Sequence, residues 1–257
     1  MVLVAVAGLL AGLVNAIAGG GSLISFPALL AVGYPPVTAN VTNAVAVLPG
    51  YVGGTVAYRH EVRRQTRRLP RLALVGALGG LTGAVLLLIS PEDVFHVLAP
   101  YLVLLSCAVL AFQPALARVV RRGDDKTNDD DGGGGGGDKT RDGGILLPLT
   151  QFVVGVYGGY FGAGIGIMML AVLGLLLDDD LHEVNALKNA LSLVVGITST
   201  VFFAFFGPIQ WAAAAVMAVT SLVGGHLGVR IARRLPARGL RTLIVTFGAA
   251  VAIALWL

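Results

Sequence analysis

Ten apolar runs in two sets of five constrain this chain more than any other feature. The first set lies at about 2–18, 22–33, 37–58, 70–89 and 94–113, the second at about 145–161, 164–177, 184–206, 209–232 and 239–257. A helix that crosses a bilayer needs about 20 apolar residues. The third, fourth and fifth runs of each set meet that length. The first run of each set is borderline. The second, at 12 and 14 residues, is short for a full crossing. The runs are too long for barrel strands and do not alternate, so they predict an all-α polytopic membrane protein. Composition agrees. Charged residues make up 12% of the chain, half the roughly 25% of a soluble domain. Too few charges remain to coat a water-facing surface. No Lys or Arg precedes the first run, so it reads as a membrane segment rather than a cleaved signal.

The two sets are related. Gly12–Gly21 (GLVNAIAGGG) corresponds to Gly155–Gly164 (GVYGGYFGAG), 143 positions later. Thr42-Asn43-Ala44 corresponds to Lys188-Asn189-Ala190 at an offset of 146, and Gly79–Gly83 to Gly224–Gly228 at 145. Pro91 and Pro236 also stand 145 apart. Ordered matches at nearly constant offset mark an internal repeat. The expected organisation is a first membrane repeat over 1–113, a flexible acidic and Gly-rich linker over 114–144, and a second membrane repeat over 145–257.

The charges orient these halves. Residues 124–142 hold seven acids against three bases, leaving +8 on the rest of a chain whose net charge is +4. The excess is mostly arginine. One cluster is Arg59, Arg63, Arg64, Arg67, Arg68 and Arg71, after the third run of the first half. The other is Arg230, Arg233, Arg234, Arg238 and Arg241, after the fourth run of the second half. Short loops rich in Arg and Lys stay in the cytoplasm. The equivalent loops carry Gly207-Pro208-Ile209 and Pro91-Glu92-Asp93, without a basic residue. Equivalent loops therefore face opposite sides, the expectation for two inverted-topology repeats of about five helical segments. The linker is then cytoplasmic and both termini lie outside the cell. The first two runs of each half return to their starting side, as two tilted spans or as one re-entrant hairpin.

Inverted repeats with interrupted helices point to a secondary transporter with its site near the midplane. The predicted site follows from the breaks. Gly19, Gly20, Gly21 and Ser22 separate the first two runs of one half; Gly162, Ala163 and Gly164 do so in the other. Glycine allows a tight bend and close backbone approach, and a restarted helix presents free N–H groups and the positive end of its dipole. Two such starts facing each other suit an anion, although glycines also serve close helix packing. Asn43 and Asn189 are repeat equivalents inside apolar runs, and their amides can donate to an oxyanion while remaining neutral. Asn15, Thr38, Asn40, Thr42, Asn185, Ser192, Thr198 and Ser199 are further polar residues there, for which interhelical hydrogen bonding is the alternative role. Lys188 is a basic residue in the early turns of an apolar run, a position that suggests function. It either attracts an anion or snorkels and pairs with Glu183 or Asp180. His226 is expected as a packed histidine. Tyr34, Tyr58, Tyr101, Trp211 and Trp256 lie near run ends and suit an interfacial belt.

Other chemistries find little purchase. The six glycines of Gly132–Gly137 lack the GK[ST] ending of a phosphate loop. Asp178-Asp179-Asp180 reads as a solvated loop rather than a cation site. Cys107, the single cysteine, reads as a small core residue. No catalytic residues, metal site or cofactor are assigned, and the chain is not expected to be an enzyme or to bind nucleic acid. The expected partners are the lipid bilayer, a small anion and a coupling H+ or Na+. A non-transporting membrane scaffold or assembly factor and an anion channel are the competing readings.

Residues 12–30 (GLVNAIAGGGSLISFPALL) followed by 38–50 (TANVTNAVAVLPG) resemble the sulfite exporter TauE/SafE family of membrane permeases. So do 155–170 (GVYGGYFGAGIGIMML), 184–193 (VNALKNALSL) and 221–236 (SLVGGHLGVRIARRLP). The resemblance covers both halves and omits the linker. It implies a cell-membrane permease for organic or inorganic anions, often sulfur-containing ones such as sulfite or sulfonates. By motif position it carries a site role to Gly19–Ser22, Thr42, Asn43, Gly162–Gly164 and Asn189. Lys188 departs from the small hydroxyl residue usual there, and the acidic linker departs from the usual short basic loop.

Overall fold

The computed structural model describes residues 1–18, 20–128, 145–177, 179, 181–232 and 246. Gly19, Gly132–Gly137, Asp178, Asp180, Pro236, the cluster from Arg233 to Arg241 and, apart from residue 246, the run 239–257 with Trp256 lie outside them. Among the described residues there are ten helices and no strand. They are α1 (Val2–Ala18), α2 (Ser22–Ala31), α3 (Pro36–Ala57), α4 (Arg59–Arg64), α5 (Leu69–Ile89), α6 (Glu92–Asn128), α7 (Leu146–Tyr160), α8 (Ile165–Leu176), α9 (Leu181–Phe206) and α10 (Trp211–Ala232).

Among the described residues, three stretches are long and apolar enough to cross a membrane: Leu69–Ile89, Glu92–Val109 and His182–Phe206. α3, the third run, is long enough at 22 residues but is not among them. Its first two turns carry Thr38, Asn40, Thr42 and Asn43, all buried, so its polar content is spent inside the protein. α2 and α8 are short, at 10 and 12 residues. Two features were not anticipated. The arginine-rich loop winds one short helix, α4. α6 also continues to Asn128, so residues 114–128 of the expected linker are helical.

α3 and α9 pack against each other at the centre. α10 joins α3 on one flank and carries α1; α5 joins α9 on the other and carries α7. Both outer pairs are close because glycine lines them. A Cβ at Gly12 of α1 would run into Ser221 O of α10, and one at Gly224 into Leu9 O. In the other pair, a Cβ at Gly159 of α7 would collide with Gly80 O of α5, and one at Gly83 with Val156 O. Small residues that let backbones meet are the usual means of helix association in lipid.

The interior falls into two apolar clusters. One gathers Phe26, Leu29, Val41, Phe95, Phe161 and Phe203, with Phe26 and Phe161 edge to face at 5.3 Å. The other gathers Leu72, Val154, Met169, Leu187, Leu191 and Val195. Outward faces are apolar as well: Leu74, Leu78 and Leu81 on α5, and Ile197, Val201 and Phe205 on α9 are exposed. Phe205 is 78% exposed. That surface is costly in water and costs nothing against acyl chains.

Candidate functional site

α1 ends at Ala18 and α2 begins at Ser22, with Gly21 buried against α1, where a Cβ would meet Ala11 O. α7 ends at Tyr160 and α8 begins at Ile165. Gly162 and Gly164 in that second interruption have φ of +75° and +77°, a region that L side chains rarely adopt. Gly164 is the N-cap of α8.

The second interruption is held by hydroxyls. Tyr157 Oη lies 2.6 Å from Ala163 O, and Ser106 Oγ of α6 lies 2.8 Å from the same carbonyl. The two hydroxyls are 2.5 Å apart, and Ser106 Oγ also reaches Leu102 O at 2.8 Å. Two protons are thus distributed over three acceptors, and the carbonyl of Ala163 is fixed from α7 and α6 together. The first interruption is tied differently. Ser25 of α2 donates to Asn43 Oδ1 of α3 at 2.5 Å, and both residues are buried.

A small cavity lies between these interruptions. Ser22 of α2 and Asn43, Val47 and Tyr51 of α3 line one wall; Gly162 and Ile165 close the second. Ser192, Gly196 and Ser199 of α9 form the third. Its volume is about 20 Å3, room for roughly one water molecule. Its polar groups are hydroxyls and an amide, the uncharged donors that suit an anion in a low-dielectric interior.

Three of the expected site residues therefore meet there: Ser22, Asn43 and Gly162. The others stand elsewhere. Gly20 and Gly21 are buried and do not line the cavity. Thr42 Oγ1 accepts the backbone N–H of Gln210 at 3.0 Å, joining α3 to the segment before α10. Ala163 and Gly164 form the interruption without lining the cavity. Asn189 faces α3, where a Cβ at Gly54 would stand 3.1 Å from its Oδ1. Lys188 Nζ donates to Asn185 Oδ1 at 3.1 Å, one turn back on α9. Neither Lys188 nor Asn189 lines the cavity. Sequence reasoning missed Tyr51, Ser106 and Tyr157. Tyr51 could have been found, since Asn43, Val47 and Tyr51 share one helical face at spacings of four. Ser106 and Tyr157 meet only through the fold.

The family model for "Sulfite exporter TauE/SafE" matches residues 4–255. The chain belongs to this family. Relatives of the chain match along most of their length. A "Probable membrane transporter protein ORF9" of Sinorhizobium sp is 27% identical over 250 residues, 97% of this chain and 90% of the relative. A "Probable membrane transporter protein" of Haemophilus influenzae is 28% identical over 225 residues, covering 87% and 82%. "Probable membrane transporter protein YfcA" of Escherichia coli K12 is 27% identical over 244 residues, covering 94% and 84%. No solved structure matches the chain. This TauE/SafE member is thus a helical membrane protein of a transporter family, and the relatives carry the name of probable membrane transporter proteins.

Proposed function

We propose that this chain is a secondary transporter that moves a small anion, sulfite or a sulfonate foremost, across the cell membrane by alternating access. The observation that carries this reading is the cavity. It lies where the two helix interruptions approach each other, and both sequence halves line it with neutral hydrogen-bond donors. With room for roughly one water molecule, the cavity must widen to load an oxyanion, and we read it as a closed state.

Two inverted repeats supply the motion. In support, helix partners are exchanged between the halves: α1 with α10 and α5 with α7, the first run of each half against the fourth run of the other. The third runs, α3 and α9, meet each other. Sidedness has support too. Arg68, in the arginine-rich stretch, pairs with Asp179 ahead of α9. Thr42 and Gln210 join the opposite ends of these helices. The arginine-rich stretch and the 114–144 segment are then cytoplasmic, both termini lie outside, and H+ or Na+ is the expected coupling ion. Asn43 donates to the anion. Lys188, away from the cavity, acts at longer range by raising anion concentration near the cytoplasmic mouth.

Purified protein in liposomes tests this reading. Saturable uptake of sulfite or of an alkyl sulfonate is expected. Absence of flux and binding across sulfite, sulfonates and carboxylates would rule the anion function out.

A further inference from the structure

We propose that Ser192 is a substrate-binding and specificity-determining residue, its Oγ donating a hydrogen bond to an oxygen of the anion in the cavity. The proposal rests on the reading of that cavity as the anion site. Ser192 is 1% exposed, lines the cavity, and its Oγ has no hydrogen-bond partner. Serine in a helix ordinarily settles its hydroxyl on the carbonyl one turn back. Its neighbours do so: Ser199 Oγ lies 2.9 Å from Val195 O, and Thr198 Oγ1 2.9 Å from Val194 O. The carbonyl of Lys188 is the one-turn-back acceptor for Ser192, and the hydroxyl does not use it.

A buried hydroxyl left without a partner is costly, and such groups in native proteins call for an explanation. Asn40 Oδ1, Gln151 Nε2, Tyr160 Oη and Thr200 Oγ1 are also buried and unpartnered, but those residues do not line the cavity. Ser192 does, on the same face of α9 as Gly196 and Ser199 and across from Asn43 and Ser22. Its Oγ is fully covered as the walls stand, so an acceptor completes its hydrogen bonding only when the walls part to load the anion. Selectivity follows, because the site favours ligands with an acceptor oxygen within reach of this hydroxyl and leaves Ser192 unsatisfied with others.

The test is Ser192→Ala in proteoliposomes with sulfite, 2-hydroxyethanesulfonate and acetate, alongside thermal unfolding without anion. Removing a hydroxyl that has no partner is expected to leave Tm unchanged or raised. KM for the transported anion should rise about tenfold, the effect of one lost hydrogen bond to a charged acceptor. Thr198→Ala, whose hydroxyl is satisfied within its own helix, should leave KM unchanged. If the unaltered protein carries none of the three anions, the transport reading fails and this proposal falls with it. If it carries one and Ser192→Ala keeps the KM, the Ser192 proposal alone is overturned. A Ser192→Ala protein that unfolds earlier without anion also overturns it, since the hydroxyl would then be structural.

Discussion

Arg68 Nη1 lies 2.8 Å from Asp179 Oδ2 and 3.1 Å from Oδ1, a contact that ties the stretch ahead of α5 to the segment ahead of α9. Both side chains are largely shielded, at 17% and 15% exposure. Partly shielded ion pairs contribute about 1 kcal/mol, enough to bias a closed state without locking it. Arg68→Asp and Asp179→Arg should each change the transport rate severalfold, about the factor that 1 kcal/mol represents. The double exchange should recover most of the original rate. Equal rates in the double and single variants would show that the pair does not act as a latch.

The helix pairs α1–α10 and α5–α7 should respond sharply to glycine replacement. Gly12→Leu and Gly159→Leu both drive a side chain into backbone of the facing helix. Overpacking of this kind costs about 1–3 kcal/mol or more, and a fall in Tm in detergent measures it. Gly53 is the control. It lies in α3, and a Cβ there meets nothing within 4 Å. Gly53→Ala should leave Tm unchanged or raise it, since alanine is about 1 kcal/mol better than glycine inside a helix.

Tyr157 and Ser106 converge on Ala163 O, so their losses should not add. Tyr157→Phe leaves Ser106 to hold the carbonyl, and Ser106→Ala leaves Tyr157. Each single change should cost about 1 kcal/mol. The double variant should depart from the sum by about 0.5 kcal/mol or more of coupling, since the hydroxyls share a carbonyl and also touch each other. A double-mutant cycle on thermal unfolding reads this directly. Strict additivity would separate the two hydroxyls.

Topology is open to a labelling map, because Cys107 is the single native cysteine. In a Cys107→Ala background, Arg63→Cys and Arg234→Cys should react with an impermeant maleimide from the cytoplasmic face. Ser90→Cys should react from the other. Reaction of the first two from opposite faces would contradict inverted repeats.

Much of the helical layout was legible in the sequence because apolar runs and glycine breaks are local signals. α1, α2, α7 and α8 begin and end within a few residues of the run boundaries. The extent of α6 was not legible, since a charged stretch such as Arg121–Asn128 is compatible with helix or coil. At the cavity, Ser22, Asn43 and Gly162 could be named because a break and a buried amide stand out in apolar surroundings. Asn189 looked equivalent to Asn43 by register, yet it packs toward Gly54 rather than lining the cavity. The direction of a side chain depends on which neighbour its helix meets. Ser106 and Tyr157, 51 positions apart, become partners only when α6 passes the α7–α8 interruption.

The central claim is that the anion passes through the cavity between the two interruptions. Val47 lines that cavity from α3. In the Cys107→Ala background, Val47→Cys liposomes should take up sulfite or a sulfonate saturably. Modification by a bulky methanethiosulfonate, followed to completion by mass spectrometry, should abolish that uptake, and the transported anion should slow the modification. Undiminished uptake after complete modification would contradict the claim.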